Sequence, residues 1–187
     1  MLQRGRERWR PARSRHVRPS GFHTEEAPID QQTVHRALEQ LAEGTLWRLS
    51  ALASNAEPAK GPPGVYTLWR GQDLLYCGMT YRDASETTNP QAAGVWGRLD
   101  THRNLKRASS LGVQIMDRFI IPDLTPDELE ALRRGERFLQ DRLRAWIRDN
   151  VSYRVWVSTT GTEARHVERL VRRNGLEHVG LPLLNPA

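Results

Sequence analysis

Two short apolar runs joined by a four-residue polar turn constrain this chain more than any other feature. Val65-Tyr66-Thr67-Leu68-Trp69 is β-branched and aromatic, Arg70-Gly71-Gln72-Asp73 supplies a polar turn, and Leu74-Leu75-Tyr76-Cys77 resumes the apolar run. Such a pattern predicts an antiparallel hairpin. Pro62-Pro63 just before it marks a sharp start to the unit. The outer ends of the runs read Gly64-Val65-Tyr66 and Tyr76-Cys77-Gly78, so pairing the strands brings two tyrosines onto one small surface.

Beyond the hairpin, Gly94 to Arg107 reads as a helix with Val95, Leu99, His102 and Leu105 on one face, and Arg98 one turn before His102. A guanidinium and an imidazole at the border of an apolar stripe are costly to desolvate unless an anion or a partner meets them. Val155-Trp156-Val157 reads as a strand and Thr162 to Asn174 as a helix carrying Glu163 and Glu168; Pro182-Leu183-Leu184-Asn185-Pro186 follows. Asp30 to Asn55 reads as an amphipathic helix whose apolar face caps the core or, as the alternative, forms a subunit contact, and Ala56 to Pro63 as a linker. Val113 to Ile121 is expected to be a strand, and Thr125 to Asn150 one long helix opened by a Thr125/Glu128 capping box. Its many arginines make that helix a candidate DNA-facing surface, although interspersed acids also suit an ordinary solvated face.

This order of parts resembles the GIY-YIG nuclease family, over roughly residues 62–187, with a helical insert at about 113–150. The resemblance implies an α/β (α+β) domain built on a small antiparallel sheet flanked by helices; the chain's own charge and periodicity place a basic flexible arm (1–28) and a helical extension with linker (29–61) before it. By the same resemblance Tyr66 and Tyr76 match the motif tyrosines, Arg98 the helical arginine, Glu168 the metal-binding glutamate and Asn185 the asparagine that closes the site. The Arg98/His102 spacing looks like the restriction-enzyme branch, in which a basic residue one turn after the arginine assists catalysis. Val65 and Cys77 stand where the family has isoleucines. The implied activity is metal-dependent cleavage of double-stranded DNA, with a single Mg²⁺ (or Mn²⁺) on Glu168. Homing, repair or RNA-directed cleavage are alternatives, as is a non-catalytic nucleic-acid-binding module that keeps the fold. One such site handles one strand, so cutting both strands at a fixed position most simply uses a homodimer.

The chemistry asks for these residue types. In-line hydrolysis of a phosphodiester needs a base for water, cationic donors for the developing charge and stabilisation of the leaving oxygen. A free tyrosine is ionised in only about one molecule in a thousand at neutral pH, so a tyrosine base needs help from its neighbours. Arginine suits phosphate because its planar fork makes bidentate contacts. Glu163 and Glu168 both border the apolar stripe of their helix, and periodicity does not choose between them. Thr160-Gly161-Thr162-Glu163 fits a capping box, a structural role for Glu163 that leaves Glu168 for the metal.

Charge is distributed unevenly. The chain of 187 residues has a formal net charge of +6, and all of that excess lies in residues 1–20, where Arg4, Arg6, Arg8, Arg10, Arg13, Arg15 and Arg18 face only Glu7. An arm of this kind cannot bury apolar surface, but it suits a polyanion. It has no apolar core of the kind a secretory signal needs. Arg103, Lys106 and Arg107 extend the candidate nucleic-acid contacts onto the first helix of the domain. Cys77 is the single cysteine, which excludes an intrachain disulfide and a cysteine-rich zinc site, and a reducing cytoplasmic setting is expected. No run approaches the length of a membrane span, so no membrane partner is expected. Deleting residues 1–20 should weaken DNA binding and flatten its salt dependence by about 0.9 of log–log slope for each phosphate that the arm neutralises. An unchanged slope in a filter-binding titration would leave the arm without a role on DNA.

Overall fold

A computed structural model describes residues 29–52, 61–81, 94–104, 109–136 and 138–185. In chain order the described elements are α1 (Gln31–Glu43), β1 (Trp47–Arg48), β2 (Gly64–Arg70), β3 (Asp73–Thr80), α2 (Gly94–Asn104), α3 (Ser110–Ile115), α4 (Pro126–Arg133), α5 (Leu139–Asn150), β4 (Ser152–Val157) and α6 (Gly161–Asn174). The four strands form one antiparallel sheet in the order β1-β4-β2-β3. The fold is therefore α+β, a small antiparallel sheet with helices around it. No helix among the described residues is long and apolar enough to cross a membrane. The basic arm (1–28), most of the linker, Leu105, Lys106 and Arg107 lie outside the described residues.

The hairpin turns through Gly71, whose φ of 60° is left-handed and open to glycine. Pairing runs from Gly64 opposite Thr80 to Leu68 opposite Tyr76, then jumps to Trp69 opposite Leu74. Leu75 is thus the extra residue of a β-bulge. Because strand side chains alternate, Tyr66, Leu68, Tyr76, Tyr153 and Val155 share one face, where Val95, Leu99, Leu111, Ile115, Ile120, Leu143 and Ile147 cover them. Val65, Trp69, Leu74, Cys77 and Trp156 point the other way, into Ala37 and Leu41 of α1 and Ala164, Val167 and Val171 of α6. The sheet is buried on both faces.

Three expectations need correction. The helix expected over Asp30 to Asn55 ends at Glu43; Trp47 and Arg48 pair with Tyr153 and Ser152 as an edge strand, and Leu49 starts a 3₁₀ turn into the opposite core. Gly44 interrupts the helix, and the downstream leucines satisfy a different face of the sheet. The strand expected over Val113 to Ile121 is helical. Ser109 caps α3, and Leu111, Ile115 and Ile120 are buried while Val113 is exposed, a spacing of four then five that strand alternation cannot make. A π-helical turn over Met116–Ile120 supplies the step of five, with Ile121 N–H donating to the Met116 carbonyl at 2.8 Å. The long helix expected from Thr125 to Asn150 is two helices broken after Arg133, where Gly135 adopts φ 70°. Its capping box at Thr125 and Glu128 forms as expected.

The far edge of the sheet, β3, is closed by the segment that follows α6. Leu183 and Leu184 N–H donate to the carbonyls of Leu74 and Leu75 at 3.0 and 2.8 Å, and Leu184 is fully buried. Beside them the Asn185 amide imitates a peptide: Cys77 N–H donates to its Oδ1 at 2.7 Å, and its Nδ2 donates to the Cys77 carbonyl at 2.9 Å. Leu184→Ala should lower stability to urea by roughly 2–5 kcal/mol through the cavity it leaves. Amide exchange at Cys77 should quicken with it, and a loss under about 1 kcal/mol would mean that this clip is peripheral to the core.

Candidate active site

Tyr66 stands opposite Gly78, and Tyr76 lies two residues along on the same face, so register alone makes the tyrosines diagonal neighbours. Their ring centroids are 6.2 Å apart. Glycine at 78 is a steric requirement of this arrangement. A Cβ there would stand 2.5 Å from Tyr66 Oη, 2.6 Å from Tyr66 Cζ and 2.8 Å from Tyr76 Cε1. The phenol of Tyr66 thus lies across a position that any larger residue would fill. Gly64 is equally constrained, its Cβ position being 2.5 Å from the Trp156 carbonyl oxygen.

α2 brings the third ring. Its buried residues Val95, Leu99 and His102 set it on the tyrosine face, and His102 Nε2 lies 2.7 Å from Tyr66 Oη. The imidazole also neighbours Tyr76, with centroids 5.9 Å apart. Arg98, one turn earlier, is exposed at its outer end, and its guanidinium acts on the Tyr66 phenol by charge and hydrogen bonding and on Tyr76 by charge.

Burial dominates the electrostatics of this cluster. Desolvation, and then repulsion from Tyr76, push the Tyr66 phenol well above the usual tyrosine range, with Arg98 opposing. Tyr76 is raised too, chiefly by burial, again against Arg98. Burial first and the Arg98 charge second lower His102 from 6.5 to about 4, so the ring is neutral at pH 7. Among the described residues its buried Nδ1 has no hydrogen-bond partner. The resting site is therefore a neutral phenol–imidazole pair under one arginine.

Glu168 and Asn185 sit around the edge of the sheet from this cluster. They line a cleft of about 560 Å³ with Arg169, Arg172, Arg173, Leu181 and Pro182. The two regions are linked electrostatically, since Glu168 raises both Tyr76 and Cys77. Arg172 Nη1 holds Glu168 Oε1 at 3.1 Å, and the Glu168 side chain is only 13% exposed. Glu163 is committed elsewhere: its Oε2 accepts from Thr159 N–H at 3.0 Å and Oγ1 at 2.7 Å, while its own N–H donates to the capping Thr160 Oγ1.

Among the described residues no group of three or more His, Cys, Asp or Glu side chains forms a metal cage. The donor set is the single carboxylate of Glu168. That fits a hydrated Mg²⁺, which keeps several waters and takes one or two carboxylates plus substrate phosphates, and does not fit zinc.

The structure thus brings Tyr66, Tyr76, Arg98 and His102 together, and sets Glu168 and Asn185 in an adjoining cleft. Arg103, a candidate phosphate contact, is tied to Asp100 at 2.7 Å. Sequence reading missed the steric role of Gly78 and the partnership of Arg172 with Glu168, although the i, i+4 spacing of the latter pair was a usable signal. No known protein family, curated protein or solved structure matches the chain.

The buried imidazole makes stability depend on pH. Above pH 6.5 His102 is neutral whether folded or unfolded; below it the unfolded chain takes the proton first, and the loss continues until the folded ring protonates near 4. Over that window wild type should lose roughly 3 kcal/mol more than His102→Gln does. Parallel pH profiles from chemical denaturation of the two proteins would show that the ring titrates normally.

Proposed function

We propose that this chain is a metal-dependent endonuclease of the GIY-YIG type that hydrolyses phosphodiester bonds in double-stranded DNA. One observation carries the reading: two tyrosines, a neutral histidine and the charge of Arg98 converge on one face of the sheet, beside a cleft holding Glu168 and Asn185. The Arg98/His102 pairing on α2 supports a restriction or other defence role, and a homodimer is the simplest way for such an enzyme to cut both strands.

The electrostatics refine how these residues would act. Burial keeps Tyr66 protonated, so a standing phenolate is not the base. A relay meets the need. Tyr66 oxygen accepts a proton from the attacking water as its own passes to His102 Nε2, 2.7 Å away. The water oxygen forms its bond to phosphorus, the bond to the leaving oxygen breaks, and that oxygen takes up a proton from solvent. An anionic phosphate beside the ring favours the imidazolium that burial otherwise opposes. Arg98 offers its donor fork to the non-bridging oxygens, and Tyr76 adds a hydroxyl donor beside it. Glu168 would hold Mg²⁺ or Mn²⁺, and the chemistry such an ion supplies when bound is Lewis-acid polarisation of the phosphate and its leaving oxygen. Asn185 keeps the β3 edge, and with it Tyr76, in register.

Incubation of the full chain with supercoiled plasmid should give Mg²⁺-dependent cleavage that EDTA abolishes, linear product reporting paired protomers and nicked circles a single one. Glu168→Gln should abolish cutting while DNA binding survives. Glu163→Gln should keep activity and cost at most roughly 1 kcal/mol through the weakened helix start. An active Glu168→Gln protein beside a folded but dead Glu163→Gln protein would sink the assignment of the metal site. Binding with no Mg²⁺-dependent cutting would replace the enzyme by a nucleic-acid-binding module.

A further inference from the structure

The cleft beside Glu168 has a charge balance that its metal role leaves unexplained. Three arginines of α6 line it against one carboxylate, and Leu181 and Pro182 form its apolar wall. Arg172 is engaged with Glu168. Arg169 and Arg173 are not: both are exposed, they stand one turn apart on the same side of the helix, and neither has an acidic partner among the described residues. Two other clefts have the opposite balance. One is lined by Glu128, Glu136 and Asp141 against Arg142, the other by Glu39, Glu43 and Glu177 with no arginine.

Unpaired guanidiniums on a rigid helix, open to solvent beside a concave surface, are a site for phosphate oxygens. Helix-end electrostatics account for Arg173, which lies in the last turn of α6, but not for Arg169, a full turn earlier. Glu168 and Asn185 line the same cleft, so on the nuclease reading a strand that meets the metal-binding carboxylate would carry its neighbouring phosphates past α6. We infer that Arg169 and Arg173 form a backbone subsite that grips a nucleic-acid phosphodiester next to the scissile one, with Leu181 against the adjoining sugar. The inference rests on the nuclease reading and extends it, by assigning to α6 the contact that sets where the strand lies. The same chemistry serves DNA and RNA.

The experiment is a salt titration of binding by the full chain in EDTA, so that no substrate is cut. The probes are a labelled DNA duplex and the RNA duplex of the same sequence, in parallel arms. Arg169→Gln/Arg173→Gln should reduce the log–log salt slope on the preferred duplex by about 1.8, two contacts at about 0.9 each, over about 50 to 200 mM salt. Its thermal midpoint should match wild type. Arg36→Gln, exposed on α1, is the control and should leave the slope unchanged. The arm with the steeper wild-type slope identifies the strand chemistry. Wild-type binding with an unchanged slope in the double variant would overturn the subsite and leave the nuclease reading standing. Failure of wild type to bind either duplex would overturn both.

Discussion

The close approach of the Tyr66 phenol to Gly78 is the contact on which the rest of this structure depends. It is possible only in one register of β2 on β3, because a slip of one residue would turn Tyr66 to the α1/α6 face and place a side chain where the ring now lies. The bulge at Leu75 then lets β3 resume pairing with Trp69 opposite Leu74, so Leu75 fills the tyrosine-side core while Leu74 and Cys77 fill the other. Both layers of helices are thereby referred to a single strand pair. α2 is positioned by Val95 and Leu99 against the same face, and it carries Arg98 and His102 with it.

That placement has an electrostatic consequence. Three rings packed together share a desolvated environment, and burial favours the neutral form of each. Hydrogen bonding between Tyr66 and His102 satisfies one nitrogen of the imidazole, and among the described residues Nδ1 has no partner, which is costly for a buried polar atom. Arg98 brings positive charge to all three rings from the exposed side of α2, and Arg172 adds a second positive charge at Tyr76.

Edge protection and site construction share the same residues. β3 is the outer strand, and its unpaired carbonyls are covered by the segment after α6, with the Asn185 amide completing the ladder at Cys77. Asn185 also walls the arginine-rich cleft, so the side chain that seals the edge helps shape the surface beside Glu168. Glu163 and Glu168 divide their duties along one helix: the first is consumed by the N-terminus it caps, and the second turns toward β3 and pairs with Arg172.

Much of this was legible from the chain alone. Turn chemistry around Gly71, the alternation through Tyr66 and Tyr76, the apolar spacing of Val95, Leu99 and His102, and the Thr125/Glu128 capping box are local signals that placed their elements correctly; at α6 Thr160 caps as expected, but the Glu163 carboxylate reaches back to Thr159 instead of closing a box on Thr160. Short-range rules failed where a long-range surface set the conformation. The segment from Ser110 to Ile120 is rich in β-formers but folds as a helix with a π turn, because the core it meets needs contacts four and five residues apart. The residues after Gly44 leave their helix because β4 offers an open edge to Trp47 and Arg48. Sequence determined which polar side chains the elements carry: two tyrosines on the hairpin, Arg98 and His102 on α2, and Glu168 on α6. Tertiary structure alone decided that the phenol and imidazole are both neutral, that Glu168 is paired with Arg172 beside a basic cleft, and that Asn185 is an edge clip, because burial, charge and edge pairing are properties of neighbours brought together from far apart in the chain.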